Sequence, residues 1–172
     1  MSEQKRSFSD FPKQLKRSTQ TPDLVYARAT DFYAARGAPV RAECDVPVLT
    51  VNADNGESIR VYRGEPKQTR ALSSASPGVM PVYSLPSAES VVVPTGRVFV
   101  RFADSIGVAT KADDLKKAGY KIVQTLAYAP NAAWLEATNG DVAAALNNIE
   151  KLEKLADVEN VEPQLLAPRA LK

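Results

Sequence analysis

The sequence predicts an α+β chain: a ferredoxin-like βαββαβ domain in its C-terminal part, preceded by a helix and a small β-rich region. Three observations carry that expectation. Val98 to Phe102, Tyr120 to Tyr128, Ala132 to Ala137 and Val158 to Glu162 are short runs of strand-like composition. The first pair and the last pair of these runs are each separated by a stretch with helical spacing or helix-end signals. Gly96, Gly119, Pro130-Asn131, Asn139-Gly140 and Pro163 stand at the joints, where such a plan needs turns and stops.

Residues 1–20 carry Lys5, Arg6, Lys13, Lys16 and Arg17 without an apolar period, which reads as a basic mobile arm. Residues 21–94 read as a helix plus a β-rich extension. Thr21-Pro22-Asp23 opens the predicted helix, which runs from Asp23 to Arg36 with proline near the first turn, an acid at the positive end and Gly37 as its stop. From Val46 the pattern becomes strand-like. Val46 to Val51 and Ser58 to Tyr62 flank an Asn55-Gly56 turn signal and predict a hairpin. Residues 63–78 are polar and loop-like, and short strands are expected at Val79 to Tyr83 and Val91 to Val93. Pro81 suits an edge position better than a central one.

Residues 95–163 form the predicted ferredoxin-like domain. Thr110 is placed to cap a helix from Lys111 to Ala118, with Asp113 and Asp114 in its early turns. A second helix spans Val142 to Leu155, with Val142, Ala145, Leu146, Ile149 and Leu152 at three- and four-residue spacing. The plan puts two helices on one face of an antiparallel sheet and leaves the other face open. Residues 164–172 are an extended tail.

Composition narrows the chemistry. The 172 residues include no histidine, which removes Ser-His-Asp and Cys-His catalysis and histidine-built zinc sites. No enzymatic role, cofactor or metal is expected. Cys44 is the sole cysteine, so no internal disulfide can form. A net charge of +2 does not call for nucleic acid. No apolar run follows the basic start and none approaches a membrane span, so a cytoplasmic location without membrane attachment is expected.

Strand parity assigns the faces. Val98, Val100 and Phe102, Ala133, Leu135 and Ala137, and Val161 point beneath the helices. Arg97, Phe99, Arg101, Trp134, Glu136, Asn160 and Glu162 then point to the open face. Aromatics ringed by charge are what a partner-binding surface requires; packing of residues 46–93 against this face is the competing expectation.

Four stretches taken in order resemble the pro-domains of subtilisin-type proteases, in the fervidolysin-like, inhibitor I9-like branch. They are Gly96 to Phe102, Leu115 to Tyr120, Tyr128 to Ala132 and Val158 to Pro163. Val79-Met80-Pro81-Val82-Tyr83 resembles a segment found just upstream in some members, so the likeness covers Val79 onward. The resemblance implies a non-catalytic protein that binds a subtilisin-like serine protease, inhibiting it or assisting its folding. The open face, through Phe99, Arg101, Trp134, Glu136, Asn160 and Glu162, would lie on two protease helices. Glu162 would cap helix N-termini there, with Glu159 a weaker candidate. The tail Pro168, Arg169, Ala170, Leu171 and Lys172 would enter the active-site cleft as an added strand, with Lys172 favoured at the product-like end. With no catalytic domain in the sequence, action in trans is expected. The expected cytoplasmic location departs from a family whose members are mostly secreted. Two other readings stay open: the N-terminal pro-region of a larger protease, and a ferredoxin-like module that binds RNA or a ligand through Phe99, Trp134 and Arg101.

Overall fold

The computed structural model describes residues 8–36, 47–53, 56–64, 79–88 and 90–168. It is a mixed α+β structure, rich in strands, with a mostly antiparallel arrangement. The chain divides into two units: one is built on Ala27–Val93, the other on Phe11–Tyr26 together with Pro94–Leu165. Among the described residues no helix is long and apolar enough to cross a membrane.

The start of the chain corrects two expectations. The described part of residues 1–20 is not a mobile arm. It holds a short 3-10 turn at Phe8–Asp10 and strand β1 at Gln14–Ser18. Phe11, Leu15 and Ser18 are buried, while Lys13, Lys16 and Arg17 are exposed beside them; Lys5 and Arg6 lie outside the described residues. The predicted helix from Asp23 to Arg36 is instead strand β2, Thr21–Arg36. Its apolar residues made only a ragged helical stripe. Val25, Tyr26, Thr30, Phe32 and Tyr33 favour a pleated surface, and pairing with neighbouring strands overrides weak local propensity.

In the unit built on Ala27–Val93, β3 (Leu49–Asn52) and β4 (Ser58–Arg63) form the expected hairpin, with Leu49 opposite Val61 and Asn52 opposite Ser58. Gly56 takes φ +83°, which the turn requires and an L side chain resists. β4 pairs with β2, and Tyr33 stacks on Tyr62 with ring centroids 5.3 Å apart. β5 (Val79–Ser84) pairs with the other side of β2. It also meets the first residues of β6 (Val91–Phe102) at Tyr83 and Ser84, two residues beyond Pro81. Val46, and most of the polar stretch 63–78, lie outside the described residues.

β6 joins what the sequence suggested were two separate strands. Pro94 and Gly96 fall inside it, and Gly96 bends the strand at φ +90°. A Cβ at Gly96 would lie 2.9 Å from Val142 Cγ2, so the close approach needs glycine. In the second unit the strand order is β9-β6-β8-β7, where β7 is Tyr120–Leu126, β8 is Ala129–Ala137 and β9 is Val158–Leu166. The β7–β8 turn is Ala127-Tyr128, not Pro130-Asn131. Asn131 lies within β8, buried, and its Nδ2 donates to the Phe102 carbonyl at 2.8 Å. β9 continues past Pro163. The N–H and C=O of Val161 both bond Thr19, on the side away from β6. By the two-residue period Pro163 also turns its missing N–H outward, where it costs no ladder bond.

The first helix begins as a 3-10 turn, Val108–Lys111, and continues as α1, Ala112–Lys117. Thr110 does not cap it; its hydroxyl donates to the Gly107 carbonyl within the 3-10 turn. The second predicted helix breaks at Asn148 into α2 (Val142–Asn147) and α3 (Ile149–Glu153). Asp141 caps α2 by accepting from the Ala143 N–H at 2.9 Å. Leu115, Ala145 and Leu152 from the three helices share one core with Val98, Val100, Phe102, Ala133, Leu135, Ala137 and Val161.

Tyr120 is buried in that core, and its hydroxyl donates to the Ala145 carbonyl near the end of α2. Burial pushes its phenol well above the ordinary value of 10.0. The raised value favours the neutral form in the folded state. Its contribution to stability is therefore complete below about pH 10 and lost as pH rises beyond it. Tyr120→Phe is expected to cost about 1 kcal/mol at neutral pH through the lost hydrogen bond. It should also flatten the alkaline decline in stability, read from urea midpoints across pH 8 to about 11.

Candidate functional site

The core fixes which way β6 and β8 face. With Val98, Val100 and Phe102 fully buried against the helices, the alternate residues Arg97, Phe99 and Arg101 turn to the opposite face. The β6–β8 register sets Phe99 directly across from Trp134. Their rings meet edge-to-face, with centroids 5.3 Å apart and planes at 61°. Both are half-buried. This geometry matches the electrostatic preference of aromatic pairs.

Charges flank the pair. Arg97 Nε lies 3.4 Å from Glu136 Oε1, and Arg101 Nε lies 3.5 Å from Glu159 Oε2. The side chains of both pairs are more than a third exposed, so each pair contributes at most about 1 kcal/mol to the fold. Their effect is to orient the guanidiniums and to pre-neutralise the rim.

Asn160 departs from the expectation of an outward, solvated residue. It is 5% exposed, and its Nδ2 donates to Glu162 Oε1 at 2.7 Å. Glu162 is half-buried and held by that bond. Pro168 follows the end of β9 and is half-buried, whereas Arg169, Ala170, Leu171 and Lys172 lie outside the described residues.

Sequence reasoning missed residues on β7. The register sets Lys121 opposite Glu136 and Gln124 opposite Trp134, with an irregularity between Ile122 and Gln124 that inserts Val123. A bulge changes parity partway along the strand, and no turn residue in Tyr120–Leu126 announces it. The Thr19 contact with Val161 was also missed, because residues 1–20 lacked any apolar period to suggest packing.

A separate groove in the other unit is lined by Thr30, Asp31, Phe32, Arg63 and Gly64, where β2 loses register with β5. Arg63 lies over the Phe32 ring at 5.5 Å, so the cation of this groove is already engaged by its own wall.

A double-mutant cycle on Phe99→Ala and Trp134→Ala should give a coupling energy of about 0.5–1.5 kcal/mol in urea unfolding, beyond the sum of area terms. Additive losses would mean that the edge-to-face contact contributes nothing of its own. No family model, curated protein or solved structure matches this chain.

Proposed function

We propose that the unit containing Pro94–Leu165 is a non-catalytic, pro-domain-like module. It binds a subtilisin-like serine protease through the face that carries Phe99 and Trp134, and so restrains the protease or assists its folding. The observation that carries this reading is the half-buried aromatic pair on the sheet face opposite the helices, set between two pre-formed ion pairs. A central aromatic anchor with a polar rim is the anatomy of a protein-docking surface.

Two further features support it. The strand order β9-β6-β8-β7, with helical segments between β6 and β7 and between β8 and β9, is compatible with a ferredoxin-like plan. Glu162 is the acid that the resemblance to subtilase pro-domains calls for near the end of the fourth strand, although β9 continues beyond it to Leu166 and leaves it at mid-strand. The protease partner is either a separate molecule or a catalytic domain of the same precursor; the contacts are the same. An RNA-binding reading is less well supported. Arg97 and Arg101 are each paired with a carboxylate, which opposes phosphate at the positions where RNA binding would need free cations.

The experiment is a steady-state assay of a subtilisin-like protease on a chromogenic peptide with the intact chain added. Wild type should inhibit, and Trp134→Ala should weaken inhibition by roughly 10- to 30-fold, the loss expected on truncating a buried aromatic anchor. Absence of inhibition and of any complex by gel filtration overturns the proposal. Equal inhibition by a folded Trp134→Ala variant moves the docking surface elsewhere.

A further inference from the structure

Asn160 raises a question that the fold alone does not answer. Its side chain is buried on β9, its Nδ2 donates to Glu162 Oε1 at 2.7 Å, and its Oδ1 is buried with no hydrogen-bond partner among the described residues. Glu162 sets the orientation of the amide. Turning the amide over would bring oxygen against oxygen.

A buried acceptor left unmatched is costly, and a single bond to a half-exposed carboxylate returns little more than that cost. An apolar residue of the same size would serve the packing of β9 at least as well. What an apolar residue could not do is hold the Glu162 carboxylate. A free glutamate side chain samples many rotamers, and ordering it at the moment of docking weakens binding. The Asn160 bond engages one carboxylate oxygen and leaves the second oriented by it.

We infer that Asn160 is a positioning residue for Glu162. It holds the carboxylate in one rotamer, so that the second oxygen can accept from an N–H donor on the docked partner. The inference rests on the protease-binding reading and adds to it a residue that acts only through another. It predicts opposite responses in stability and in binding, which an ordinary structural residue would not give.

The test uses the intact chain with Asn160→Leu, alone and combined with Glu162→Ala, against the same protease. Asn160→Leu should leave the urea midpoint unchanged or raise it, while inhibition weakens by about 3- to 10-fold, the range expected for one ordered polar side chain. In the Glu162→Ala background the Asn160→Leu change should have no further effect on inhibition. The near-isosteric Asn160→Asp, which sets two carboxylates against each other, should weaken inhibition at neutral pH by at least as much. A lower midpoint with unchanged inhibition by both Asn160 variants would show a purely structural residue and overturn the inference. So would an equal loss of inhibition with and without Glu162. Wild type that fails to inhibit, with Trp134→Ala no different, overturns the docking reading itself and this inference with it.

Discussion

The apolar layer that Val98, Val100 and Phe102 make with Ala133, Leu135 and Ala137 sets the parity of the two central strands. A slip of one residue would turn those six side chains outward and drive Arg97, Phe99, Arg101, Trp134 and Glu136 under the helices. Burying two guanidiniums and a carboxylate away from their present partners would cost several kcal/mol for each ion. The alternative register is therefore closed, and the position of the aromatic pair follows from the core on the far side of the same strands. Phe99 and Trp134 need no dedicated scaffold; the layer that stabilises the unit also aims them.

β9 is held differently. Val161 supplies the core contact, and the outer side of the strand is fastened by Thr19. The Thr19 N–H donates to the Val161 carbonyl at 3.1 Å, and its hydroxyl accepts from the Val161 N–H at 3.2 Å. The same hydroxyl donates to Glu153 Oε1, and Lys16 lies 3.6 Å from the other oxygen of that carboxylate. A hairpin near the start of the chain thus covers part of an edge strand and ties it to α3. Uncovered edges invite pairing with other chains, and here the missing N–H of Pro163 and the Thr19 contact blunt the edge together.

Most of the second unit was legible because its signals were local and agreed with one another. Core parity on β6, β8 and β9 followed from period-two burial, and Gly119 ends α1 at φ +95°, donating its N–H to the Lys116 carbonyl. The misses share a physical cause. β2 is a strand because β4 and β5 pair with it on either side, and none of those contacts is visible within Thr21–Arg36 itself. Gly96 and Pro94 look like stops, yet β6 runs through both, since a glycine with positive φ bends a strand without ending it. In the site, that Phe99 and Trp134 share a face was readable from parity, whereas their pairing, the ion-pair partners and the burial of Asn160 depend on inter-strand register and on side-chain reach.

The charges on the helix-free face determine how such a surface can bind. An unpaired arginine loses hydration when a partner covers it and recovers that loss only through a well-placed acceptor. Arg97 Nε donates to Glu136, and Arg101 lies within ion-pair range of Glu159 although its Nε makes no hydrogen bond. The proposed docking would then remove from water two nearly neutral pairs instead of two bare cations, with a correspondingly smaller desolvation penalty. In that proposal the aromatic pair would supply the attraction, and the ion pairs would exclude arrangements that separate them. On the proposed docking, selectivity would come from which charges a partner must avoid disturbing, and affinity from how well it covers Phe99 and Trp134.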